Sequence, residues 1–287
     1  MRLVRFGAAG EERPGVLVDD ETAMDVSSHF ADFDESFFRS GGLDRLRELV
    51  EGASAAELPT VALSGVRLGP PVARPQAVLC IGLNYADHAE ETGAPIPTEP
   101  VLFTKTPNTV VGPYDDIELP RDGDRTDWEV EIAIIIGKQA HYLEDDEAAL
   151  EAVAGFCVTN DVSERTFQID RGGQWTKGKS SPTFNPLGPW LVTRDSVGDP
   201  QDLALGLDVN GEVMQSSSTS RMIFGIAHIV RYLSQFIRLE PGDIINTGTP
   251  PGVGLGMEPP RFLQAGDVVE AWVEGLGRQR CVVRAAR

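Results

Sequence analysis

The sequence predicts a β-rich α+β fold, a sandwich or roll rather than a doubly wound α/β sheet. Three observations carry this reading. Many short apolar runs separated by Gly, Pro and Asn turns read as strands, while few stretches have helical periodicity. The dipeptide Asn210-Gly211 joins two such runs, 203–209 and 212–215, and Asn-Gly favours the type I′ turn of a tight hairpin. The run 126–137 alternates, with Trp128, Val130, Ile132, Ile134 and Ile136 on one face and Asp127, Glu129 and Glu131 on the other. That period of two marks a strand with one face in the core. Three carboxylates in succession on the opposite face repel one another. Either water solvates that face, or a cation holds at least two of the carboxylates together.

Taken in order, residues 1–70 read as a small N-terminal domain. Within it, 2–6 and 15–18 are short strands joined by a Gly/Glu/Pro turn, and 43–51 is an amphipathic helix. The proline-rich connector at 68–75 sets the boundary with a second domain over 71–287. There 77–82 is an apolar strand and 84–91 a short helical turn with Asn84 as its N-cap. A Pro/Thr/Gly-rich loop leads to the strand 101–105, and the turn at Gly112-Pro113 leads on to the alternating run. Helix is expected over 147–154, then a strand over 155–160 that ends at Asp161. The clearest helical spacing covers 223–237 and stops at Pro241-Gly242. Strands at 243–247, 268–274 and 279–284 complete the chain.

Composition narrows the partners. The chain has 287 residues, and its net charge of -19 is far from neutral. Such a surface repels phosphate backbones and anionic membranes, so neither nucleic acid nor a membrane is an expected partner. Lysine occurs only at 105, 138, 177 and 179. An acidic, lysine-poor surface suits high salt, although a GC-rich genome gives part of the same bias. Cys80, Cys157 and Cys281 are odd in number, widely spaced and flanked by apolar residues. They read as reduced core residues rather than a disulfide framework or zinc site, and a cytoplasmic protein is expected.

Several stretches carry chemistry. Asp161, at the end of its strand, could join Glu129 and Glu131 in a three-carboxylate site. Oxygen ligands without His or Cys favour a hard ion such as Mg2+, Mn2+ or Ca2+ over Zn2+. His88 and Glu91 are i,i+3 neighbours on the turn 84–91, close enough for the carboxylate to orient the imidazole. The Gly/Pro-rich stretch at 93–97 suits a lid. Gly173 to Ser180 fits the P-loop pattern letter for letter, but the preceding segment is polar and Pro182 and Pro186 interrupt any following helix, so nucleotide binding is not expected. Half of the scarce lysines, Lys177 and Lys179, fall in this loop, which points to an anion or enolate contact.

Together the segments 81–91 (IGLNYADHAEE), 99–105 (EPVLFTK), 128–131 (WEVE), 160–168 (NDVSERTFQ), 175–180 (WTKGKS) and 241–254 (PGDIINTGTPPGVG) resemble the fumarylacetoacetate hydrolase family. The resemblance covers about residues 75–287. It implies a mixed β-sandwich roll, a homodimer, and bound Mg2+ or Mn2+. It implies Glu129, Glu131 and Asp161 as metal ligands and His88 with Glu91 as the pair that activates water. It also implies Lys179 as the active-site lysine, Arg165 and Gln168 as substrate contacts, and Thr249 as a carboxylate contact. Asp127 matches no family role.

The implied activity is hydrolysis of the C–C bond of a 2,4-diketo acid to pyruvate and a carboxylic acid, with the divalent ion stabilising the departing enolate. The short N-terminal domain and the run at 171–179 look most like the branch acting on 2,4-diketo-3-deoxy sugar acids. Acylpyruvate or fumarylpyruvate hydrolysis, oxaloacetate decarboxylation and 2-oxo-diacid isomerisation remain alternatives on the same scaffold. A non-catalytic, metal-stabilised binding module is the alternative of another class, and it would leave the lid pair and the lysine without a purpose.

Overall fold

In the computed structural model, which describes residues 1–91 and 95–286 apart from the side chains of residues 54 and 88–90, two β-sheets enclose the main core. The larger sheet runs in the order Thr60–Ala62, Thr22–Asp25, Arg13–Leu17, Arg2–Phe6, Leu191–Thr193, Val153–Asn160, Val130–Ile136, Ile244–Asn246, Val78–Gly82, Val101–Lys105. Its pairs are antiparallel except Ile244–Asn246 against Val78–Gly82. The smaller sheet runs Glu212–Ser218, Ala204–Val209, Val268–Val273, Cys281–Arg284, Ile117–Glu118. The β-rich reading of the sequence holds.

Strands from residues 1–70 extend the larger sheet. Arg2–Phe6 pairs with Leu191–Thr193 through Leu3 opposite Leu191, so the first strand of the chain is zipped onto the central strands. Helices Glu35–Arg39 and Gly42–Glu51 come from the same segment. Phe33, Phe37 and Leu46 from this segment share a buried cluster with Val78, Ile244, Ala133 and Ile135.

That packing corrects the expectation of a strand with a single core face. Val130, Ile132, Ile134 and Ile136 face a cluster that includes Leu205, Leu207, Val269 and Ile229, as the alternation predicts. The opposite face is also covered, because Ala133 and Ile135 continue it beneath the N-terminal helices. A central strand with cover on both sides has nowhere to solvate charge. Glu129 and Glu131 therefore enter the protein interior, at 6% and 1% exposure. Each apolar side chain buried along this strand stabilises the fold by about 1.5–3 kcal/mol, which is the driving force that holds the carboxylates inside.

Local signals set the remaining boundaries. Asn210 and Gly211 both have positive φ, 54° and 79°, as a type I′ hairpin requires. The helix expected over 223–237 is shorter, Ile226–Ser234, because Gly225 is extended and sets its start. The helix expected over 147–154 is Asp146–Glu151, capped by the Asp145 carboxylate on the Ala148 N–H at 2.8 Å. Val153 is already strand. The three cysteines are buried and unpaired. Among the described residues no helix is long and apolar enough to cross a membrane.

Candidate active site

Strand register brings the carboxylates together. Val130 lies opposite Asn160 and Glu131 opposite Thr159. One residue beyond this ladder, the Asp161 N–H donates to the Glu129 carbonyl at 2.9 Å. One oxygen each from Glu129, Glu131 and Asp161 then lies within 4.8 Å of the others, and all three residues are buried.

The charge there is only partly balanced. Lys179 Nζ lies 2.7 Å from Glu129 Oε2 and 3.0 Å from Asp161 Oδ2. Lys105 Nζ pairs with Asp161 Oδ1 and donates to the Val162 carbonyl at 3.1 Å. Arg165 reaches Glu129 Oε1 at 2.7 Å and also pairs with Asp127. Counting Asp127, four carboxylates face three cations. Among the described residues no lysine or arginine pairs with Glu131, whose Oε2 accepts only from the Gly248 N–H at 2.7 Å. Burial, and then Asp161 and Glu129, push the Glu131 carboxyl well above the usual range. Burial alone would lower Lys179, but Asp161 and Glu129 outweigh it and hold the ammonium protonated. An under-compensated set of three buried carboxylates, with oxygen the sole donor type, fits a hard divalent cation.

Asp127, which the sequence left without a role, is fully used. Its Oδ1 accepts from the Trp128 and Gly254 N–H groups at 2.8 and 2.7 Å. Its Oδ2 accepts from the Leu255 N–H at 3.0 Å and from Arg165. The residue clamps Arg165 and the loop around Gly254 into one unit. Lys105, one of the four lysines and part of the segment 99–105, was given no role by the sequence. Its scarcity, together with its place at the end of an apolar strand, was the signal that could have found it.

Part of this set faces a cavity of about 270 Å3. Glu129, Glu131, Arg165, Gln168 and Lys179 line its polar side. Gln168 Oε1 accepts from Arg165 at 3.0 Å, and its amide N–H groups are uncommitted among the described residues. Thr249 also lines the cavity, but its hydroxyl donates to the Val130 carbonyl at 2.9 Å and accepts from Gln215 at 2.8 Å. Its hydroxyl proton is therefore already spent on the strand.

The glycine-rich loop sorts its lysines. Lys177 is exposed and donates to the Arg171 carbonyl, whereas Lys179 turns inward. Gly178 makes this possible, since a Cβ there would sit 2.5 Å from the Glu164 carbonyl and from Gln168. Of the expected lid pair, Glu91 ends the helix Ala86–Glu91, and its Oε1 accepts from the Gly252 N–H at 2.9 Å, beside the cavity-lining Val253. The His88 side chain, and residues 93 and 94 of the expected lid, lie outside the described residues. Asn84 is not a helix cap. Its side chain bridges the Phe224 N–H, the Phe224 carbonyl and the Thr247 carbonyl, at 2.8, 3.1 and 2.7 Å.

The sequence profile of the fumarylacetoacetate hydrolase C-terminal region matches residues 77–284, the part of the chain that builds this cavity. The chain belongs to the fumarylacetoacetate hydrolase family. A Burkholderia multivorans protein that carries no name narrower than hydrolase is 49% identical over the whole of both chains. A solved fumarylacetoacetate hydrolase from Exiguobacterium antarcticum superposes with a TM-score of 0.86 at 38% identity, covering 100% of each chain. Maleylpyruvate hydrolase from Sphingobium sp. SYK-6, solved with manganese(II) and pyruvate, superposes with a TM-score of 0.83 at 29% identity, again over 100% of each. Membership in this family makes the chain an enzyme, and the relatives within it include hydrolases and isomerases.

Proposed function

We propose that this family member hydrolyses the C–C bond of a 2,4-diketo acid, releasing pyruvate and a carboxylic acid. The observation that carries the reading is the buried set Glu129, Glu131 and Asp161, two of which, Glu129 and Glu131, line one cavity together with Lys179. These three carboxylates would hold Mg2+ or Mn2+. When bound, such an ion supplies positive charge against the oxygens of a 2-oxo acid.

The protein's own residues do the rest. His88 takes a proton from water, with the Glu91 carboxylate as the orienting partner of the imidazole. The oxygen adds to the distal carbonyl, and Lys179 and the Gln168 amide donate to the oxygen that gains charge. The C3–C4 bond then breaks, its electron pair passing to the pyruvate enolate, which is protonated at C3 by the imidazolium. Arg165, locked by Asp127, holds Gln168 and Glu129 in place for this sequence.

Pyruvate release from a panel of 2,4-diketo acids, with Mg2+ or Mn2+ and with an EDTA control, tests the proposal. Metal-dependent pyruvate formation from at least one such acid is expected. Decarboxylation of oxaloacetate or isomerisation of a 2-oxo-diacid, without pyruvate release from any diketo acid, would move the chain to a sister activity.

A further inference from the structure

One wall of the cavity differs in kind from its acidic side. Leu83, Phe103, Ile169, Trp175, Val253 and Leu255 form it, and the indole N–H of Trp175 is its single polar side-chain group. The aromatic part is packed as a unit. Phe103 and Trp175 meet edge to face at 5.2 Å, and the Trp175 ring lies on the backbone of Gly82, where a Cβ would approach it to 2.5 Å. Leu83 is held at a φ of 52°, a conformation that a leucine rarely adopts. The three hydrogen bonds of Asn84 fix the chain immediately after it. Such a backbone persists only where its surroundings over-determine it, and the side chain it presents lines the cavity.

The cations of the cavity are taken up by its carboxylates and, for Lys179, by the reacting oxygen. Arg165 and Lys179 are the two that line it, and both are paired with buried carboxylates. A second, remote carboxylate on a substrate would meet no free lysine or arginine among the described lining residues. The segment 88–94 could supply none, because its sequence, HAEETGA, contains neither. On this wall substrate hydroxyls would meet one side-chain donor, the indole N–H, because the Gln168 amide belongs to the polar side. A hydroxyl desolvated against such a wall without a partner is penalised, whereas a methylene gains.

From this wall we propose that the group beyond the distal carbonyl is a hydrocarbon, so that the substrate class is acylpyruvates with an alkyl or aryl tail rather than polyhydroxylated or dicarboxylic diketo acids. This assignment rests on the diketo-acid reading above. It also runs against the sugar-acid branch that the sequence resembles most, and the wall is the reason for the difference.

The test compares kcat/KM for acetylpyruvate, butanoylpyruvate, hexanoylpyruvate and benzoylpyruvate with that for maleylpyruvate and for a 2,4-diketo-3-deoxy sugar acid. Each added methylene is expected to raise kcat/KM by up to about fourfold until the cavity is full. The dicarboxylate and the polyol should fall at least about tenfold below hexanoylpyruvate. A sugar acid or maleylpyruvate as the best substrate overturns the proposal.

Two further measurements separate this inference from the reading beneath it. Ile169 is 48% exposed at the mouth of the cavity, so Ile169→Lys adds a cation without opening the core. It should raise the kcat/KM ratio of maleylpyruvate to hexanoylpyruvate at least about tenfold, and an unchanged ratio counts against the wall as the selecting surface. If no acid yields pyruvate, the diketo-acid reading fails. The wall is then judged by calorimetry with the Mg2+-loaded protein, where 2-oxohexanoate should bind at least about tenfold more tightly than 2-oxoglutarate. Equal or reversed affinities sink the inference by themselves.

Discussion

Arg165 donates from Nε and from a terminal nitrogen to the same oxygen of Asp127, at 2.9 and 2.8 Å, with both side chains buried. The other oxygen of Asp127 holds the Trp128 and Gly254 N–H groups. Removing the carboxylate strands a buried guanidinium and several backbone donors at once. Asp127→Ala should cost about 3–5 kcal/mol of stability, measured by urea unfolding. Asp127→Asn keeps acceptor capacity on one oxygen and should cost less. Equal losses would mean that the charge pairing with Arg165 contributes nothing.

Glu131 is the carboxylate of the set without a lysine or arginine partner among the described residues. In metal-free protein Glu131→Gln should leave stability unchanged or raised, since it replaces a buried carboxyl whose ionised form is poorly compensated. The same change should remove the stabilisation by added Mg2+ or Mn2+. For wild type at one hundred times Kd that stabilisation is about 2.7 kcal/mol, or roughly 5–10 °C in Tm. A variant that keeps the full metal-induced shift would take Glu131 out of the ligand set.

His88→Ala tests the general base. Pyruvate release should fall by about 10²–10⁴-fold, with the affinity for Mn2+ unchanged by calorimetry. Wild-type turnover in this variant would end the assignment of the lid pair.

Acid stability depends in part on a residue far from the cavity. Gln139, Arg39 and Arg238 all donate to the Glu240 carboxylate, at 2.9, 2.6 and 2.6 Å. The hydrogen bond from Gln139, then those from Arg39 and Arg238, hold its pKa down to about 2, against 4.5 for an unperturbed glutamate. A depressed carboxylate contributes stability that is fully present above pH 4.5 and is lost as pH falls toward 2. Glu240→Gln should therefore be less stable than wild type at neutral pH, with the gap in Tm closing between pH 4.5 and 2. A gap that stays constant across that window rules out this origin.

Much of the site was legible because its signals are periodic or local. Glu129 and Glu131 could be placed on one face from the alternation, and Asp161 from the end of its strand. Asp127 was not legible, because its partners at Arg165 and at 254–255 come from segments whose approach depends on the packed loop. Lys105 reaches Asp161 across 56 residues of sequence, and nothing in its immediate neighbours announces the pair. Asn84 looked like a cap because it precedes a helical turn. Its partners at 224 and 247 lie on elements that no local pattern connects to it.

The register that unites the carboxylates also makes the site a gauge of correct folding. Glu131 and Asp161 come from two strands matched residue by residue through Val130 and Asn160. A slip of one residue would send Glu131 to the opposite face of the sheet. Chains that have collapsed with misaligned strands could then keep most of their hydrophobic contacts and yet have no place for the ion. Retention on an immobilised divalent metal would thus sort properly threaded molecules from compact impostors before any substrate is offered.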